Sequence, residues 1–325
     1  MLNSSYLVLA SITSDAPISE QTDMLLLKLA EKDLGNPFSQ KLGILELFLA
    51  FSKRERSAYV VADEIHLVVS DVLANNCQIT PEEFQVVLKV LFGFQMYLTE
   101  QVLVDIFQYI DGHDEEERVD YLKCIETEFQ TMEIDQEILS TVLDTLTFYQ
   151  HESLSIRQIL LNLTAIALSR SPKDEMTSSF IDVYDRLKLI EPKETAEVDS
   201  YCEAWCELLK IYNEASYDMG KNFLMDSCQK LDLFFKSASS DRLVEFLMEM
   251  IDLPPEHLTI INKVRDLLIS QLPFENSKLY DLLEVYIILY PRTAEERAVE
   301  ILKRLENHKE YYRMYFRLPP KLPLR

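Results

Sequence analysis

Only five glycines occur in 325 residues, where average usage would place about 23. Doubly wound sheets and phosphate-cradling enzymes use glycine for tight turns and for close approach of backbone to ligand. Helices joined by short polar turns do not need it, so the chain reads as all-α. Its apolar content of 48% is that of a chain with a buried core. The length admits one elongated domain or two globular ones.

Residues 138–169 set the pattern for the rest. Ile138, Leu139, Val142, Leu143, Leu146 and Tyr149 recur at steps of three and four, as do Ile156, Ile159, Leu160, Leu163, Ile166 and Ala167. A short polar joint, Gln150-His151-Glu152-Ser153, separates the two stripes, and Ser155 with Gln158 fits a capping box at the second start. Leu161 and Leu168 widen the second stripe beyond one face, which predicts packing on a neighbouring pair as well.

The same unit recurs along the chain. After a helix over 19–34, ended by Gly35-Asn36-Pro37, the pattern predicts pairs 39–51 with 58–73 and 82–96 with 99–110. Thr80-Pro81-Glu82-Glu83 marks a helix start with a capping threonine and proline in the first turn. Further pairs are 138–149 with 154–169, 199–212 with 220–235, 241–251 with 255–272, and 277–290 with 293–307. Two extra helices, 118–132 and 175–189, fall outside a two-helix repeat. The polar segment 191–195 suggests a boundary between a helical-hairpin region 1–190 and a second, continuous region 191–308, followed by a tail 309–325.

Ile156-Arg157, Val264-Arg265 and Glu296-Arg297 stand near the starts of second helices that continue apolar. This resembles the valine-arginine position of HEAT-type repeats, a helical-repeat architecture akin to armadillo repeats. The six recurring hairpins suggest an irregular α-solenoid, each unit burying its face against its neighbours, and the resemblance, which covers three of the six, points the same way. The uneven spacing of the units keeps an irregular multi-helix bundle as the alternative.

The formal net charge of −23 disfavours direct binding to nucleic acid and to anionic membranes, both of which need clustered lysine and arginine. It would steer in a basic protein partner, or serve solubility alone. Five cysteines, few and odd in number, do not form a secreted disulfide framework. The N-terminus lacks a basic region before its short apolar run, and no window approaches 18 apolar residues, so neither a signal peptide nor a membrane span is expected. The setting these features suggest is the cytoplasm or another reducing intracellular compartment.

No constellation calls for a metal, a cofactor or a catalytic role. His66, His113, His151, His257 and His308 are scattered, with no pair one helical turn apart. Cys202 and Cys206 share a helix face, which suits core packing better than metal ligation. Residues 111–117 are as acidic as a calcium loop, but consecutive carboxylates point apart, and acids at a helix start are stabilised by the helix dipole.

Two segments stand out as partner-binding candidates. One is the acidic stretch with Asp111, Asp114, Glu115, Glu116, Glu117, Glu126, Glu128 and Glu133, suited to a basic surface. The other is the basic, aromatic tail, where Arg313 and Arg317 precede Pro320, Pro323 and Arg325 in a pattern similar to an arginine-last ligand of Src-homology-3 domains. That tail could equally dock on the acidic body, meet an acidic partner, or be a plain chain end. The function these features suggest is a non-enzymatic scaffold, adaptor or chaperone that holds another protein. Alternatives are a regulatory, virulence or immunity-type protein that occludes a partner, and an all-α enzyme with a site built from dispersed carboxylates and histidines.

Overall fold

Helices begin where the sequence supplies an oxygen for the unpaired N–H groups of the first turn. In the computed structural model, which describes residues 79–93, 100–132, 134–172, 176–214, 221–251, 253, 257–289 and 291–307, Thr80 fills this role for α1 (Pro81–Gly93). Thr80 Oγ1 accepts from the Glu83 N–H at 3.3 Å, and Glu83 Oε2 accepts from the Thr80 N–H at 2.9 Å, a reciprocal capping box. After α2 (Glu100–Asp111), Asp114 Oδ1 accepts from the Glu117 N–H at 3.1 Å and starts α3 (Glu115–Phe129). Asp135 caps α4 (Gln136–Thr145) through the Ile138 N–H at 2.8 Å. The remaining helices are α5 (Leu154–Arg170), α6 (Met176–Leu187), α7 (Thr195–Glu214), α8 (Lys221–Ser237), α9 (Ser240–Ile251), α10 (Leu258–Ser270), α11 (Ser277–Leu289) and α12 (Pro291–Arg304). All of the regular structure among the described residues is helical. Among the described residues no helix is long and apolar enough to cross a membrane.

The Asp114 cap is a single local interaction. Asp114→Ala is expected to lower stability by about 1 kcal/mol, while Asp114→Asn, which caps equally well, leaves it close to unchanged. Urea denaturation followed by circular dichroism checks this, and equal losses in both variants would assign the effect to charge instead.

The chain divides into two compact units, Met1–Pro172 and Lys173–Arg325. Within the first, α3 packs against both α1 and α5, α2 packs against α4, and the neighbours α2 and α3, and α4 and α5, also touch. The acidic helix left outside the pairing at 118–132 is therefore a central element, and it begins three residues earlier, at Glu115. Its stripe of Tyr121, Leu122, Ile125 and Phe129 is fully buried. Polar ties fix its neighbours: the Tyr121 hydroxyl donates to the Ile79 carbonyl at 2.5 Å, Gln85 Nε2 to Glu128 at 3.2 Å, and Asn162 Nδ2 to Glu126 at 3.0 Å.

The expected unit at 138–169 is present with two corrections. Its first helix tightens after Thr145 into a 3-10 segment, Leu146–His151, where threonine and aromatic residues are poor α-formers. The second helix is entered through Ser153 rather than Ser155, with Arg157 N donating to the Ser153 carbonyl at 2.9 Å, so no Ser155–Gln158 capping box forms. Leu161 and Leu168 are buried along with the main stripe except Ile166, which is half-buried, because α5 packs on α3 and α4 at once.

In the second unit α7, α9 and α11 pack in succession, as do α8, α10 and α12, while α6 packs on α7. Neighbours in sequence, α7 with α8, α9 with α10, and α11 with α12, also pack together, matching the pairs read from the stripes. The core is aromatic: the fully buried Trp205 lies parallel to Phe223, with ring centres 5.6 Å apart, and meets Tyr184 and Tyr201 edge-on. Arg265 is 5% exposed. Its guanidinium bonds Asp266 at 2.6 Å and Asn262 at 3.2 Å, and Asp266 receives Arg297 from α12 at 3.4 Å. In the first unit Arg157 instead donates to the Glu152 carbonyl at 3.2 Å and lies over the Tyr149 ring. The pairs and helix expected within residues 1–78 lie outside the described residues.

Candidate functional site

The acid-rich start of α3 forms the wall of an open cleft of about 610 Å³ in the first unit. Residues 79–81 form the facing wall, with Ile79 and Pro81 as its apolar part. His113, Asp114, Glu116, Glu117, Asp120 and Tyr121 complete the described lining, which among the described residues holds four carboxylates and no lysine or arginine. A second depression of about 510 Å³ lies alongside, lined by Glu115, Glu116, Val119, Asp120, Lys123 and Ser155. Glu116 and Asp120, one helical turn apart, belong to both and form the ridge between them.

The tight turn from α2 to α3 positions these groups. Gly112 N donates to the Tyr109 carbonyl at 3.2 Å, and a β-carbon on Gly112 would press within 3.3 Å of that same oxygen. His113 Nδ1 donates to the Tyr109 carbonyl at 2.8 Å, and its ring packs against both Tyr109 and Tyr121, at 4.5 and 5.0 Å between centres. Arg118 is held by Asp111 at 3.0 Å and Glu152 at 3.1 Å. Burial works against its charge, but the two carboxylates outweigh that and hold its pKa above the ordinary guanidinium value.

The acidic candidates thus separate into groups. Asp114, Glu116 and Glu117 line the first cleft and Glu115 the second. Asp111 is engaged by Arg118. Glu126 and Glu128 accept hydrogen bonds from α5 and α1, so their carboxylates hold helices together. Glu133, Arg313, Arg317, Pro320, Pro323 and Arg325 lie outside the described residues. Asp120 and the wall at residues 79–81 were missed in the sequence. Asp120 follows Glu116 by four residues, a helical step that could have marked it, whereas the wall is joined to α3 only through the fold.

The carboxylates of the cleft fan out along a helix start, and no group of three His, Cys, Asp or Glu residues able to hold a metal occurs among the described residues. What the arrangement can do is concentrate negative potential in a recess with an apolar edge, which favours a cationic group.

The buried or half-buried thiols among the described residues are poor nucleophiles. Cys124, Cys202, Cys206 and Cys228 are free. Burial pushes Cys124 and Cys228 up to about 11 and Cys206 up to about 12, and raises Cys202 well above the usual thiol value. Burial likewise raises the Tyr121, Tyr184 and Tyr201 hydroxyls. Each group keeps its proton longer folded than unfolded, so the unfolded chain releases protons first as pH rises. The resulting stability is intact below the unfolded thiol pKa, near 8.5, and is lost progressively above it. Urea midpoints are expected to hold level from pH 7 to 8 and to fall by pH 10.5, with a shallower fall in a Cys124→Ser, Cys228→Ser variant. A level profile to pH 11 would contradict the assignment.

Compared with protein-family models and with curated proteins, the chain matches none.

Proposed function

We propose that this chain is a non-enzymatic scaffold, adaptor or chaperone that holds another protein through the acidic cleft at the start of α3. The observation that carries the reading is the cleft itself: four carboxylates and an apolar edge, unbalanced by any lysine or arginine among the described residues of its lining. Such a recess suits a basic segment of a partner, steered in by the net charge of −23. Alternate helices packing in succession within each unit support an irregular α-solenoid of hairpins, an architecture whose extended faces serve protein binding. The Arg265–Asp266–Arg297 contacts between α10 and α12 support it further at two of the HEAT-like arginine positions. Free cysteines accord with a reducing intracellular compartment.

The test is affinity capture from the native host with quantitative mass spectrometry, followed by binding measurements on the captured protein. The wild-type chain is compared with a Glu116→Gln, Glu117→Gln, Asp120→Asn variant and with a chain ending at Asn307. Removing three charges is expected to weaken binding about tenfold, and the wild-type affinity is expected to fall with added salt. A partner lost only on truncation moves the site to the tail. A partner bound equally by all three chains removes it from both places, and no stoichiometric partner at all removes the scaffold reading.

A further inference from the structure

We draw no further inference here: the strongest candidate, the acidic cleft between residues 79–81 and the start of α3, already carries the proposed function, and nothing beyond its carboxylates points to a particular ligand.

Discussion

Replacing Phe223 by alanine is expected to destabilise the second unit by about 3–5 kcal/mol. Phe223 is fully buried on α8. Its ring lies parallel to Trp205 at 5.6 Å and meets Phe180 at 5.0 Å, Tyr184 at 5.5 Å and Tyr212 at 5.4 Å. Truncation removes a large apolar surface and its ring contacts, and leaves a cavity walled by rigid rings that cannot easily close around it. Trp205 is the single tryptophan of the chain and sits against the deleted ring, so its fluorescence reports the change directly. The urea midpoint followed at Trp205 is expected to fall sharply, with emission shifted to the red. Phe223→Leu, which keeps most of the volume, is expected to lose less than about 1.5 kcal/mol. A loss below 1 kcal/mol in the alanine variant would mean that the cluster is not the centre of this unit's core.

The second large effect is expected at Glu197. This carboxylate is 0% exposed, and its Oε2 accepts the backbone N–H groups of Lys193 and Glu194, each at 2.9 Å. It stands in the first turn of α7, reaching back over the residue that precedes the helix, so a negative charge there also meets the favourable end of the helix dipole. Segment 191–195, which reads in the sequence as a polar joint, is bonded to α7 through this side chain. Tyr201, one turn further on, donates to the Leu187 carbonyl at 2.9 Å and ties the end of α6 to the same helix.

Glu197→Ala leaves two N–H groups without their acceptor, and the expected loss is about 3 kcal/mol. Glu197→Gln keeps an oxygen in place without the charge and is expected to lose roughly half as much. Amide hydrogen exchange gives the local reading: protection at Lys193 and Glu194 should drop in the alanine variant. Unchanged protection at both amides would sink the assignment.

Local features of the sequence carried far in this protein. The scarcity of glycine and the stripes at steps of three and four specify helices, and every stripe residue named in the 138–149 segment is buried. Thr80 caps its helix as its neighbours Pro81 and Glu83 suggest, and Glu115, Glu116 and Glu117 occupy the first turn of α3, where acids are favoured. These signals act within about one turn of helix, so a single sequence displays them.

The site was only half legible. Its carboxylates, from Asp114 to Asp120, lie close together in the chain, but the opposing wall does not: the Tyr121 hydroxyl bonds the Ile79 carbonyl across 42 residues. Glu126 and Glu128 look in the sequence like the other acids of their segment, yet partners on α5 and α1 engage them. The central place of α3 was hidden for the same reason, since its buried stripe is interleaved with charge and it packs on α1 and α5 as well as on the preceding helix α2. Capping and periodicity are properties of a few adjacent residues. The choice of which helices meet, and so which carboxylates are left to form a recess, depends on side chains far apart in the chain fitting together once it has folded.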